Sequence, residues 1–258
     1  MDLGLGKKVA VVTGASRGLG RSIALGLAAE GCRLAVCARG EDALRTAAEE
    51  MRKEGADILA MPLDVTETGS ARRLIDAAAE RFGQLDVLVC NVGGNRRKPF
   101  AATTDEDWDT VLEVNLKAHL RCSRVAIEHM RAVGGGAILF VASIFGREAG
   151  GPGLSIYNAT KSALISASKI MALELASEGI RVNCIAPGSI RFPGGSWDRR
   201  VKEDPEGMRR FLKANLPIGR FGTAEEIADV AVFLLSERAS LVTGACLNVD
   251  GGQSRSLI

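Results

Sequence analysis

Short apolar runs alternate along this chain with longer segments whose apolar residues recur at helical spacing. The runs cover residues 9–13, 34–38, 58–63, 87–92, 137–142, 182–186 and 246–249. Most are rich in β-branched residues and apolar at successive positions, as strands buried on both faces must be. The helical patterns cover 19–30, 41–54, 68–81, 105–131, 155–177 and 224–236. Thr223, with Glu226 three residues later, has the spacing of a capping box for the last of them. Strand and helix alternating in this way predict an α/β fold, a doubly wound parallel sheet of about seven strands with helices on both faces. Neither an internal repeat nor a Pro/Gly/Ser-rich linker divides the chain, so one domain over residues 1–258 is expected. The rhythm breaks once, over residues 188–216, an insertion between the sixth strand and the last helix.

Composition narrows the function classes. A formal charge of +2 gives no footing for nucleic acid. No apolar run approaches the length of a membrane span, and residues 1–14 contain no signal-peptide core. The six cysteines (Cys32, Cys37, Cys90, Cys122, Cys184 and Cys246) are scattered without a CxxC, and several sit in apolar runs. They read as buried free thiols in a cytoplasmic protein. Two histidines without a ligand cluster argue against a metal site. Aromatic residues are 4% of the chain, which leaves the core to Ala, Val, Ile and Leu.

The first strand runs directly into Gly14-Ala15-Ser16-Arg17-Gly18-Leu19-Gly20, and a helix begins there. A pyrophosphate is well served by the free N–H groups and positive dipole end of a helix N-terminus. Glycines let the backbone turn tightly and approach the phosphates. The second strand ends in Cys37-Ala38-Arg39, with no acid before Glu41 to accept from a ribose hydroxyl. Arg17 and Arg39 together suit a 2′-phosphate, which predicts NADP(H); the plain alternative is two solvated surface arginines.

Tyr157 is the only tyrosine, and Lys161 lies four residues on in a helical pattern. A nearby ammonium stabilises phenolate and lowers the phenol's pKa, ordinarily about 10. Such a pair alone is equally an ordinary surface pair. Ser143 ends the fifth apolar run, where ligands gather in sheets of this kind, and its hydroxyl could bond a substrate carbonyl. Asn115 falls in the middle of a helical pattern, a poor place for an amide unless it has a buried polar task.

At these residues the chain resembles the single-domain branch of the short-chain dehydrogenase/reductase family, a Rossmann fold, over essentially its whole length. The stretch from Thr13 to Gly20 matches the family's TGxxxGxG motif. Asp64, followed by Val65, matches the adenine contact, and Asn91-Val92-Gly93-Gly94 stands at the family's NNAG. Asn115, Ser143, Tyr157 and Lys161 match its catalytic tetrad. Pro187-Gly188 and Ile190 match the PGxI motif beside the nicotinamide, and Val249-Asp250-Gly251-Gly252 the last strand. The resemblance implies hydride transfer between nicotinamide and a ketone or secondary alcohol, with Tyr157 as proton donor. Lys161 is implied to lower the tyrosine pKa and hold the nicotinamide ribose, Ser143 to orient the carbonyl, and Asn115 to anchor a water linked to Lys161. A ketone reductase of the 3-oxoacyl reductase sort is expected. The alternative is a non-catalytic NADP-binding regulator on the same fold.

Three departures from the family pattern stand out. The Ser143–Tyr157 separation is one residue longer than usual, within a glycine-rich loop. Phe192 replaces the threonine that often touches the carboxamide, and Val92-Gly93 replaces Asn-Ala. The insertion is where the family builds its substrate lid. Phe192, Trp197 and Phe145 are candidates to line a pocket, or simply to pack the lid down. Residues 191–213 hold seven Lys/Arg against four Asp/Glu, and Arg96-Arg97-Lys98 follows the fourth strand. Such a rim could attract an anionic partner, either a small acid or an acyl chain on coenzyme A or carrier protein; the plain alternative is a solvated rim. Glu178 stands where fatty-acid ketoreductases often have a basic residue, which argues against an acidic carrier protein. The resemblance also implies a homotetramer built on the two long helices.

Overall fold

A computed structural model describes residues 2–257. Seven strands form one parallel sheet: β1 (Val9–Thr13), β2 (Arg33–Ala38), β3 (Ile58–Pro62), β4 (Val87–Cys90), β5 (Gly136–Val141), β6 (Ile180–Pro187) and β7 (Cys246–Val249). Their order across the sheet is β3-β2-β1-β4-β5-β6-β7. The order reverses between β1 and β4, so the crevice that binds ligands in such sheets lies beyond the carboxyl ends of those strands.

The helices are α1 (Gly18–Ala29), α2 (Glu41–Lys53), α3 (Ser70–Phe82), α4 (Asp105–Leu112), α5 (Ala118–Ala132), α6 (Ser155–Leu175), α7 (Ser196–Glu203), α8 (Pro205–Asn215) and α9 (Ala224–Leu235). Two apolar layers sandwich the sheet. Ala10 and Val12 of β1 face Ile23, Leu27, Leu44 and Ile227. Val9 and Val11 face the other way, toward the layer of Leu74, Ile75, Met130, Phe140 and Leu164. Alternate side chains of one strand thus enter different layers, and both must be apolar.

The sequence-based boundaries hold to within a few residues, with informative exceptions. β4 ends at Cys90 rather than at residue 92, because Asn91 leaves the ladder to bond the glycine turn. The pattern over 105–131 is interrupted by one π-helical turn, Glu113–Lys117, between α4 and α5. The insertion folds into α7 and α8, and Thr223 with Glu226 makes the expected capping box. Five cysteines are buried and Cys246 is partly so, all as free thiols. Among the described residues no helix is long and apolar enough to cross a membrane.

Candidate active site

The glycine turn is held from below. Asn91 Nδ2 donates to the carbonyls of Thr13 (3.0 Å) and Gly14 (3.2 Å), while the Asn91 N–H donates to Thr13 Oγ1 (3.0 Å). A side chain at Gly20 would strike the Asn91 amide and the Gly14 carbonyl, so only glycine fits. Gly14 and Gly18 have φ of 69° and 57°, where a Cβ is strained. Arg17, at the N-cap of α1, supplies no side-chain cap, and the first turn contains no acid. The opening N–H groups of α1 therefore remain available to an anion, and Ser16, Leu19 and the three glycines surround them. This geometry fits a dinucleotide's pyrophosphate.

At the position expected to meet the adenine, Asp64 Oδ1 accepts from Thr66 N (2.9 Å) and Thr66 Oγ1 (2.7 Å), and Val65 between them in sequence is buried. Arg39 is 82% exposed and makes only a long ion pair, 3.8 Å, with Asp64. Arg17 is also exposed. Both guanidiniums stand at the edge of the crevice with donors to spare.

Asn115 occupies the π-helical turn and is fully buried. Its Oδ1 accepts from Gly94 N (2.8 Å), and its Nδ2 donates to Gly94 O (2.9 Å) and Thr160 Oγ1 (3.1 Å). The amide thus spans the loop after β4 and the first turns of α6, and the extra residue of the π turn turns it inward. The task of a polar residue in mid-helix is this clamp.

Ser143 follows β5 and is buried; its Oγ accepts from Phe145 N (3.2 Å). Tyr157 lies in the first turn of α6, and Thr160 Oγ1 donates to its carbonyl (2.9 Å). Burial pushes the phenol's pKa above its ordinary value, and a hydrogen bond from the Ser143 hydroxyl pulls it partly back. The net shift is upward, opposite to the lowering expected from Lys161, which is not among its causes. Lys161 Nζ lies 5.9 Å from the Tyr157 ring centroid and donates to Val141 O (2.7 Å). Burial in turn lowers the Lys161 pKa to about 8. Gly93 approaches both groups: a Cβ there would be 3.4 Å from Asn115 Oδ1 and 3.7 Å from Lys161 Nζ. At the end of β6, Gly188 donates to Val249 O (3.1 Å) and leaves no room for a side chain against Asp250, while Ile190 is buried.

Sequence reasoning missed His119. It sits four residues beyond Asn115, the only signal available, and is fully buried. Its Nε2 lies 2.9 Å from the Val92 carbonyl, so the protonated nitrogen is Nε2. Burial, then the nearby Lys161 charge, pushes its pKa down to about 3, and the ring stays neutral. It buttresses the Asn91–Gly94 loop from beneath.

The basic rim is less free than its residue count suggested. Arg96 and Lys98 both bind the buried Asp107 (3.0 and 2.6 Å), whose carboxyl is held well below the usual range by Lys98 and then Arg96. Arg191 and Lys202 converge on Asp198 (3.1 and 2.7 Å). Glu178 is paired with Arg131, whose Nη2 donates to Glu178 Oε1 (2.8 Å). Trp197 packs on Phe211 and Phe221, with ring centroids 4.8 and 5.3 Å away. Phe192 lies over the glycine turn: a Cβ on Gly18 would come within 2.7 Å of its ring. Trp197 therefore packs within the inserted segment, and Phe192 packs against the glycine turn.

Comparison with known proteins agrees with this geometry. A family model described as Enoyl-(Acyl carrier protein) reductase matches residues 14–254. The 3-oxoacyl-[acyl-carrier-protein] reductase FabG of Staphylococcus aureus is 37% identical over 250 residues, 95% of this chain and 97% of that protein. L-Sorbose reductase of Gluconobacter frateurii, solved with NADPH and L-sorbose, is 37% identical, covers 100% of both chains and superposes with a TM-score of 0.94. A short-chain type dehydrogenase/reductase from Mycobacterium marinum is 30% identical, covers 98% of both chains and has a TM-score of 0.88.

Proposed function

This chain belongs to the short-chain dehydrogenase/reductase family, and from that premise we propose that it is an NADP(H)-dependent ketone reductase acting through Tyr157. The observation that carries the reading is the meeting of the Ser143 hydroxyl with the Tyr157 phenol, one helical turn from Lys161, at the carboxyl edge of the sheet. Two hydroxyls side by side suit one carbonyl oxygen, which can accept from both.

When bound, the nicotinamide supplies the hydride. Tyr157 then gives its phenolic proton to the carbonyl oxygen. Ser143 donates to the same oxygen and stabilises charge as it grows there. Lys161, held by Val141 O, offers its remaining donors to the ribose and its charge to the tyrosine. Asn115 positions Gly94 and Thr160, and hence the start of α6. Gly14, Ser16, Gly18, Leu19 and Gly20 hold the pyrophosphate; Asp64 and Val65 the adenine; Asn91, Gly93, Pro187, Gly188 and Ile190 the nicotinamide half. Arg17 and Arg39 select the 2′-phosphate, since Asp64 engages Arg39 only through a long 3.8 Å pair and leaves its guanidinium exposed. A non-catalytic regulator is not favoured, because the relatives found are reductases and dehydrogenases that carry out chemistry.

Residues 188–216 act as the substrate lid. The substrate is a free or small-thioester ketone in preference to a carrier-bound one, because the Arg131–Glu178 pair leaves no net positive charge there for an acidic carrier. The assembly is a homotetramer in the cytoplasm. Ile170 (52% exposed) and Leu173 (67%) on α6 would be covered in it, and Ala159, Ser162, Ala163, Ser166 and Ala167 allow close helix approach.

The test is a ketone panel assayed with both cofactors. Tyr157→Phe should lower turnover about 10²- to 10⁴-fold, the usual contribution of a general acid, while NADPH binding persists. Near-parental turnover would overturn the assignment. An NAD(H) preference in kcat/KM would show that Arg17 and Arg39 serve another purpose. A large gain in kcat/KM from attaching the 3-oxoacyl group to carrier protein would reverse the substrate choice. A monomer mass by light scattering would exclude the tetramer.

A further inference from the structure

The loop between Ser143 and Tyr157 carries one residue more than the family pattern and is rich in glycine, yet it is tied down. Arg147 Nη1 donates to Cys246 O (2.6 Å) and Asn248 Oδ1 (3.1 Å) of β7. Asn158, next to Tyr157, donates from Nδ2 to Glu148 O (2.8 Å). The Glu148 carboxylate gathers three donors from the segment after β7: Ser254 Oγ (3.0 Å), Arg255 N (2.9 Å) and Ser256 N (3.2 Å). That segment is itself shaped by Asp250, which accepts from Gly252 N (3.0 Å) and Ser254 N (2.8 Å). It also reaches the other wall, where Gln253 Oε1 accepts from Ser189 N (2.7 Å), beside Pro187-Gly188.

We propose that residues 250–256 form a strap joining the Ser143–Tyr157 loop to the Pro187-Gly188 turn, and that Glu148 is the positioning residue that fastens it. The physical argument concerns the loop. A glycine-rich stretch has high conformational entropy, so the Ser143–Tyr157 distance would wander unless something external held the loop. A carboxylate taking three donors from one short segment is a strong fastening, because charge-assisted bonds are the strong ones, and it acts beside the Arg147 bonds to β7. The strap crosses from the wall that carries the proton donor to the wall that holds the nicotinamide half. Loosening it would misplace Tyr157 relative to a bound cofactor without removing any group that touches either. The inference rests on the reading of Ser143 and Tyr157 as reacting groups.

The test compares Glu148→Ala, Glu148→Gln, a chain ending at Gln253, and Glu148→Ala in that shortened chain. Small misplacements of reacting groups cost rate steeply, so Glu148→Ala and the shortened chain should each lower kcat about tenfold on the best ketone of the panel. NADPH affinity, read by fluorescence, should stay within about twofold. The combined variant should be no worse than either alone, because both break one fastening. Glu148→Gln, which keeps one acceptor oxygen, should fall between Glu148→Ala and the parent. Hydrogen exchange across residues 146–153, followed without cofactor or substrate, should speed up in both single variants. Parental kcat in the shortened chain and in Glu148→Gln would overturn the proposal. So would losses that multiply in the combined variant, or unchanged exchange in the loop. Failure of the catalytic reading is separate: it appears as an active Tyr157→Phe, whatever the exchange data show.

Discussion

The floor of the cleft and its inserted segment are held together in opposite ways. In the floor, polar groups pair across long stretches of chain: Asn115 with Gly94 and Thr160, Lys161 with Val141, Asn91 with Thr13. Most of these groups are buried, and their bonds are made to groups on other elements. In the segment spanning α7 and α8, the polar bonds are local. Asp198 collects Arg191, Lys202 and the Gly194 N–H, Asp204 caps α8 through Gly207 N, and Arg209 pairs with Glu206. Its aromatic cluster is its own Trp197 and Phe211 with Phe221 from just beyond. A network that ties distant elements together sets geometry before a ligand arrives. A segment satisfied from within can move as a body at little cost, as a lid must.

This contrast breaks first at Asn115. Asn115→Leu leaves the Gly94 N–H and C=O without their partner and takes from the Thr160 hydroxyl the donor it accepts, while its bond to the Tyr157 carbonyl stays; this should cost about 3 kcal/mol of stability in urea titration. A loss under about 1 kcal/mol would mean that the floor is not held by this clamp.

Lys161 sharpens the contrast through pH. Its pKa falls from 10.5 to about 8 on folding, so the unfolded chain holds one proton more than the folded one between those values. Stability therefore carries a penalty below about pH 8 that is relieved as pH rises toward 10.5. Relative to Lys161→Met, the parent should gain roughly 3 kcal/mol across that window, from about 1.4 kcal/mol per pKa unit. Three buried thiols, Cys32, Cys37 and Cys122, pushed up to about 12, act in the opposite direction above pH 9 in both proteins. The difference between the two proteins is thus the quantity to follow. A difference independent of pH would show that Lys161 is solvated.

Trp197→Ala probes the segment itself. Aromatic pairs contribute about 1 kcal/mol each beyond their buried area, so α7 and α8 should loosen locally and exchange faster, with a several-fold rise in KM and little change in global unfolding. A global destabilisation would join this segment to the floor. The smallest effect belongs to Arg209→Ala, which removes an exposed pair and should shift stability by no more than about 0.5 kcal/mol.

Much of the floor was legible in the sequence because each of its parts has a local signature. The glycine turn shows as glycines after an apolar run, the Tyr157–Lys161 pair as helical spacing, and the α9 capping box as Thr223 and Glu226. The π turn at Asn115 left no such trace beyond an amide in mid-helix, since one extra residue in a helix does not disturb an apolar stripe enough to see. The charged rim misled for a related reason. Residue counts see seven cations over residues 191–213, whereas Asp198 takes up two of them and Asp107 takes up Arg96 and Lys98 from another segment.

The alternation of apolar runs and helical stripes by itself determined the α/β class, the parallel sheet and the order of the site motifs. These follow from periodicity and local backbone chemistry, which a chain carries residue by residue. Only the tertiary structure decided which way the Tyr157 pKa moves, because burial outweighs the Ser143 hydrogen bond while Lys161 turns toward Val141. It alone brought His119 under the Asn91–Gly94 loop and Glu148 to Ser254, partners 106 residues apart. Desolvation and long-range hydrogen bonds depend on what else fills the space around a group, and that is known only once the sheet has stacked its layers.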